Sequence, residues 1–482
     1  MFPELSDSTL TFVRAGYGVL MVLTLLQALP EARRFFVSER WGGYAKSGAA
    51  VDAIQNPWVM PLMLAAWMAA AAALALDLAP VWSALVNLAI CRYFFIHMRW
   101  RGVLRGMGAP GFIAYWLGLA IFLLEYTGRF APALRPLSLL VIQADLAFIM
   151  LSAGIYKATA GYPRNQGMEL GLANPMWGYW WRRYSRVRPG HPVFWTLNQL
   201  AWSTEVAGGL LMLLPWTREA GGLVISLSFI FILTQIRLGF LCEMVVLAGL
   251  LYLTPGSPVD SWIASVTGPV AVATATSSPS VAVVNAVLAL ALWAYLLLLP
   301  LAHAGLFYNF YARRALPGPL QAPLERYTNL FGIIIWRVFS VDLVNFFIRI
   351  HVEPRDGGAR VAASRLGSWP RFNHVGEMIC LTSLFTTMKY YPGNDALFRE
   401  RLLRYARTIP HPAGAVLVFE YCRVLKLPTR FEWAAAAEYR VDVVAGTVGE
   451  HLHDPDFSAR APHAVSPVHE GGVPGSYAPA RR

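Results

Sequence analysis

PLSLLVIQADLAFIMLSAGIYK, residues 136–157, decides the fold. Its 22 residues carry one charge, Asp145, before the closing Lys157. About 20 mostly apolar residues are what an α-helix needs to cross the hydrocarbon core of a bilayer. The stretch therefore predicts a membrane helix with a carboxylate inside it. Working outward, similar runs occupy 10–29, 57–76, 81–98, 111–128, 192–215, 221–240, 241–254 and 281–308. The run at 241–254 is short and touches its predecessor, so those two read as one broken helix or as a hairpin. Residues 255–280, rich in Ser, Thr, Pro and Gly, read as a loop. Residues 325–350 are apolar but interrupted by Arg337 and Asp342, and read as an interfacial stretch leading into a strand.

Composition points the same way. The chain of 482 residues is 56% hydrophobic and only 14% charged, against about a quarter charged in soluble chains. Its 17 Trp, 20 Tyr and 26 Phe are residue types that collect at membrane–water boundaries. The net charge of +12 comes with no basic-aromatic nucleic-acid module, and its arginines fall in short loops. That excludes nucleic acid as a partner and makes the lipid bilayer the expected one.

Basic residues in short loops set orientation. Arg33, Arg34, Arg40 and Lys46, then Arg99, Arg101 and Arg105, then Lys157, Arg164, Arg182, Arg183, Arg186 and Arg188, then Arg313 and Arg314 fall on one side. Only Arg129, Arg135 and Arg218 fall on the other. With nine spans the C-terminal part is cytoplasmic, in a membrane of the bacterial inner type. The opening MFPELSDS is acidic rather than basic, so the first apolar run is expected as a retained span and not a signal peptide.

From about 345 the composition turns soluble. NFFIRIHVEP and ARVAASRL flank Arg355-Asp356-Gly357-Gly358 as a hairpin. NDALFRERLLRYART (394–408) reads as an amphipathic helix opened by Asn394, and GAVLVFEYCRVLKL and EYRVDVVAGTV read as strands. The expected fold is thus an all-α polytopic membrane bundle of about eight to nine spans over 1–340, a small α+β extramembrane domain over 341–460, and a disordered tail over 461–482. Cys380 and Cys422 lie in the soluble part, where they could pair in an oxidising compartment; Cys91 and Cys242 read as packing residues. No CxxC pair is present.

Charges inside a membrane cost at least about 2.5–3.5 kcal/mol each near its centre, so they are the first places to look for function. Away from the span ends these are Arg14, Arg92, Asp145, Glu205, Arg237 and Glu243. They read either as structural ion pairs or as the lining of a polar cavity. Asn198, Trp202, Glu205 and Gly209 share one helical face, which suits either a ligand site or a tight helix seam. Asp145, Ser152 and Tyr156 share another face. Lys157 lies off it, either snorkelling to the interface or desolvated and able to act as a base. Gly154 could turn it inward. His97 and His303 lack partners at metal-ligand spacing, so no metal is expected. Trp177, Tyr179, Trp180 and Trp181, followed by four arginines, read as an interfacial anchor.

Ser152-Ala153-Gly154-Ile155-Tyr156-Lys157 followed by Gly167-Met168-Glu169-Leu170 resembles the signature of the HTTM (horizontally transferred transmembrane domain) superfamily, which includes the vitamin K-dependent gamma-carboxylases. Glu205 is similar to a membrane glutamate of that family, and Trp336-Arg337-Val338-Phe339 to its closing motif. The resemblance implies Lys157 as a base acting on a quinone-like cofactor or another lipid-soluble molecule, with Glu205 beside it. Asn198, Trp202, Asp145 and Tyr156 are the candidate ligand-binding residues. The carboxylases' Asn-His-Tyr motif is not matched near Pro110-Gly111-Phe112, nor their later histidine near Phe229 and Ile230, nor their tryptophan near Tyr162 or Arg164. The resemblance also sets the C-terminal domain on the non-cytoplasmic side, against the charge count. Two other functions stay open: a non-enzymatic protein for assembly, export or immunity, and a transporter, for which Arg237 and Glu243 beside a broken helix speak.

Overall fold

The computed structural model describes residues 2–98, 109–164, 167–268, 279–312, 314–336, 344–355, 358–364, 373–390, 395–455 and 457. The chain is mostly helical, with one small antiparallel sheet near its C-terminus.

Its long helices are α1 (Asp7–Ala28), α4 (Val59–Ala75), α5 (Pro80–Cys91), α6 (Ala109–Phe130), α7 (Arg135–Thr159), α10 (Pro192–Leu213), α11 (Arg218–Gln235), α12 (Leu241–Leu250) and α14 (Pro279–Ala312). Between them lie the short α2 (Ala32–Phe36), α3 (Ala49–Ile54), α8 (Met168–Ala173), α9 (Trp181–Tyr184) and α13 (Pro258–Thr267). Among the described residues, five helical stretches, 7–36, 109–130, 132–159, 218–235 and 282–312, are long and apolar enough to cross a membrane. The last bares Leu290, Leu297 and Leu301 at 66–73% exposure. An apolar surface of that extent in water marks an interaction site or a liability; against acyl chains it carries no cost, and the architecture is consistent with a membrane protein.

Glycines set the tightest contacts. A Cβ on Gly154 would lie 2.6 Å from the Val206 amide nitrogen, and one on Gly209 would lie 2.8 Å from the Leu151 nitrogen. Only glycine lets α7 and α10 approach this closely. The runs 221–240 and 241–254 form a hairpin: Gly222, in the first turn of α11, meets Gly249 and Tyr252 at the far end of α12. The link Ile236–Phe240 is not helical. Its backbone is held by the 177–179 segment, with Arg237 N donating to Trp177 O at 2.9 Å and Tyr179 N to Gln235 O at 2.9 Å.

The bundle has two ends. At one, Arg135 pairs with Asp7 at 2.6 Å, Thr9 donates to Asp260 at 2.6 Å, and Asn285 donates to Phe130 O at 2.9 Å. At the other, α15 (Gly318–Phe331) follows α14, and the C-terminal domain docks. That domain has strands β1 (Phe346–Glu353), β2 (Val361–Ala362), β3 (Val416–Lys426), β4 (Phe431–Asp442) and β5 (Thr447–Leu452) in the order β2-β1-β3-β4-β5. Helices α16 (Asn373–Tyr390) and α17 (Asp395–Arg407) cover one face, where Phe385, Phe398 and Tyr439 interlock with centroids 5.2–5.5 Å apart. The other face is charged: Arg360 grips both oxygens of Glu438 at 2.8 and 3.1 Å, and Arg349 pairs with Glu420 at 2.8 Å.

Several expectations change. Residues 255–280 are not all loop: Pro258–Thr267 is helix α13, capped by Ser257, whose side chain accepts from Asp260 N, with Pro258 preset at the first position. The helix α16 had no counterpart in the sequence reading, because its apolar residues lack a clean stripe. Cys380 and Cys422 do not pair; all four cysteines are buried free thiols. Trp177 is buried rather than an interfacial ring, whereas Trp180 is exposed as expected. Strands β1 and β2 pair as the expected hairpin. The Asp356-Gly357 turn, Asn394, the tail 461–482 and the pair Arg337 and Asp342 lie outside the described residues.

Candidate functional site

Lys157 stands in the last turn of α7 and Glu205 near the middle of α10. They come together because Gly154, one turn before the lysine, lets the α10 backbone approach. Lys157 Nζ donates to Glu205 Oε1 at 2.5 Å, with the two side chains 3% and 2% exposed. Lys157 does not snorkel to an interface. The second carboxylate oxygen of Glu205, also buried, has no hydrogen-bond partner among the described residues. Buried polar atoms are nearly always partnered, so this oxygen is the notable atom of the site. The buried Tyr162 ring and Cys242, in the first turn of α12, both lie near the pair. Spacing along the sequence gave no signal for either, since they arrive from separate elements.

The other candidate residues find partners elsewhere. Asn198 donates to Glu169 Oε2 at 2.8 Å and accepts from Met168 N at 3.0 Å. Glu169 is fully buried, takes Gly167 N at 3.0 Å, and is reached by Lys426 of β3 at 2.9 Å. Asn198 thus joins α10 to the C-terminal domain through a buried carboxylate. Trp202 donates to Gln199 at 2.9 Å, and Tyr156 packs edge-on against Phe310 at 5.6 Å. Asp145 accepts from Trp116 Nε1 at 2.8 Å, and the Tyr295 hydroxyl also reaches it. The face carrying Asn198, Glu205 and Gly209 is therefore a helix seam with polar pairs set into it, and Asp145 and Tyr156 serve other contacts.

Of the other charges in apolar runs, Arg14, Arg92 and Arg237 find partners outside that set, while Glu243 keeps one buried oxygen with no hydrogen-bond partner among the described residues. Arg14 bridges Asp77 at 2.6 Å and Glu125 at 2.5 Å. Arg92 donates to Leu330 O at 2.9 Å from the start of a π-helical turn, Arg92–His97. Arg237 donates to Pro175 O at 2.9 Å and lies over the Tyr179 ring. The Trp336 indole stacks on Phe229 at 6.1 Å, and its backbone nitrogen faces Ser152 Oγ at 3.5 Å.

A small pocket opens between α1, α4, α6 and the start of α12, lined among others by Leu25, Trp67, Phe95, Phe240 and Met244, with Ile379 of α16 also against it. Its lining is almost wholly apolar. Lys157 and Glu205 do not line it; the first turn of α12 stands between, with Phe240, Leu241 and Met244 toward the pocket and Cys242 toward the lysine. Among the described residues no cluster of His, Cys, Asp or Glu could hold a metal ion.

Compared with family models, with curated proteins and with solved structures, the chain matches none. The class of protein rests on fold and site alone: a helical protein with five apolar helices of spanning length, one sheet domain docked at an end, and a dry lysine–glutamate pair inside the bundle.

Proposed function

We propose that this is a multi-pass membrane protein of HTTM type whose Lys157–Glu205 pair handles a proton for a quinone-like, lipid-soluble substrate. The observation that carries the reading is the unpartnered Glu205 oxygen beside a buried lysine. A purely structural pair gains most when every lone pair is satisfied. A lysine acts as a base only as the free amine, and Glu205 is placed to take its proton without changing the net charge of the pair. Lys157 Nζ then accepts a proton from a hydroxyl of the substrate. The apolar pocket on the other side of the first turn of α12 has a lining of the kind that takes an apolar ring, and the substrate's hydroxyl reaches Lys157 when that turn moves aside.

Nine crossings are supported by the way the helices alternate between the two bundle ends, with α4, α5, α10 and α12 beside the five helices of spanning length. The docked domain touches 31–56 and 157–191, through Arg34 to Thr408 O at 3.2 Å, Lys46 to Glu400 at 2.9 Å and Lys426 to Glu169. Those are the arginine-rich loops, which supports a cytoplasmic C-terminal domain, in a bacterial inner membrane, by the positive-inside rule.

A second reading has its own observation. The glycine seam of α7 and α10 makes the pair a register clamp in a protein without catalysis, serving assembly, export or immunity. The test uses full-length protein in lipid nanodiscs and the double variant Lys157→Met with Glu205→Leu, which leaves no orphan charge. Menadione hydroquinone should appear as its bound anion at neutral pH with the parent protein and not with the double variant, while quenching of Trp67 by menadione persists in both. Equal anion formation by the two proteins would sink the proton-handling reading and leave the clamp.

A further inference from the structure

The segment entering α10 carries a surface that neither the pair nor the pocket uses. Trp180 and Trp195 are 42% and 56% exposed, and between them Arg182, Arg183, Arg186 and Arg188 are all exposed. None of these four arginines has a carboxylate partner among the described residues. The nearby acids are already taken: Glu432 by Arg430 at 2.6 Å, and Glu169 by Lys426. Arg182 lies over the Trp181 ring at 5.3 Å and Arg183 over Trp180 at 5.0 Å, which presents the guanidinium edges outward. From Val193 onward α10 turns an apolar exposed side outward, with Trp195 and Leu200 on it. The arginines therefore sit where apolar surface gives way to polar surface, at the depth of lipid headgroups.

We propose that this arginine–tryptophan surface binds the phosphodiester headgroups of anionic membrane lipids. Charge complementarity selects the occupant: four unneutralised guanidinium groups need phosphate oxygens, and the flanking indoles need the amphipathic headgroup layer. A soluble acidic partner would satisfy the first requirement and leave the indoles in water. The C-terminal domain shares the surface. Phe431 N donates to Ser185 O at 2.9 Å, Phe431 packs on Phe194 at 5.6 Å, and Trp433, 41% exposed, packs on Trp181 at 5.0 Å. A headgroup bound to Arg182 and Arg186 thus also braces the joint between the bundle and the sheet.

Full-length protein is extracted from mixed phosphatidylglycerol–phosphatidylcholine nanodiscs, and the lipid that stays bound is counted by native mass spectrometry. The parent protein should retain phosphatidylglycerol over phosphatidylcholine by about tenfold, and changing all four arginines to Gln should abolish the preference. Changing all four to Lys should keep most of it. Phosphatidylglycerol should also slow amide exchange at Phe431–Trp433 in the parent protein. No preference in the parent, equal preference in the Gln variant, or equal protection by inorganic phosphate alone would each overturn the proposal, the last in favour of a small-anion site. If the Gln variant fails to fold, quenching decides instead. Brominated phosphatidylglycerol must quench the parent more than brominated phosphatidylcholine, and Trp180→Phe with Trp195→Phe must remove the excess; otherwise the proposal fails.

Discussion

Arg14 and Lys157 are both buried in the bundle, and they are held in different ways. Arg14 reaches two carboxylates, and one of them, Asp77, is 54% exposed. That cluster stands at a bundle end, with water at hand and a second acid in reserve. Among the described residues Lys157 has one carboxylate, its pair is almost entirely excluded from solvent, and one oxygen of Glu205 has nothing to bond. The first arrangement is redundant and open, as suits a charge that anchors helix ends. The second is minimal and dry. Dryness strengthens the attraction within a pair and raises the cost of breaking it. It also gives a proton no destination but the partner or an incoming ligand.

The comparison breaks most sharply at Lys157. Replacing it alone with Met leaves a buried carboxylate without a counter-ion and should cost about 3–5 kcal/mol, read as a large fall in the melting temperature of purified protein. The double variant with Glu205→Leu should recover most of that loss. Arg14→Gln should cost less, about 1.5–3 kcal/mol for the lost charged hydrogen bonds, because water replaces part of what Asp77 loses. Added salt should weaken the Arg14 cluster and leave the Lys157 pair unchanged. A loss at Arg14 equal to that at Lys157 would erase the distinction.

The smallest effect lies outside the bundle, where carboxylates exchange protons freely with water. Arg440 holds the Glu353 carboxyl below its usual range, and Arg360 does the same for Glu438. A depressed folded-state value means stability that is present above the unfolded carboxylate range and lost as pH falls through the folded one. These pairs are partly exposed, so the loss should stay within about 1 kcal/mol. Amide protection factors in β1 and β4, taken relative to the intrinsic exchange rate at each pH, should fall between pH 5 and pH 3, roughly the range of these carboxyls, and Glu438→Gln should flatten that dependence.

Much of the site was legible. Lys157 and Glu205 stand out because a charge within an apolar run has few structural excuses, and the two did meet. Asp145 stood out for the same reason and Asn198 for sharing a helical face with Glu205, yet both serve other contacts, since helical periodicity gives a residue's face and not which neighbour that face meets. The helix at 258–267 was hidden because Ser, Pro and Asp are as common in loops as in a capped first turn. The pocket was not legible at all: Leu25, Trp67, Phe95, Phe240 and Met244 are ordinary apolar residues scattered over more than two hundred positions.

Residue order by itself determined that the chain is built of long apolar helices with a polar domain after them, because hydropathy acts locally and needs no partner to be read. It also marked which buried groups would need compensation. Only the tertiary structure decided how that compensation is made: Gly154 admits α10, Lys157 reaches Glu205 rather than the surface, and one oxygen is left over. Those outcomes depend on distances between segments about fifty residues apart in sequence, which packing sets and local pattern does not encode.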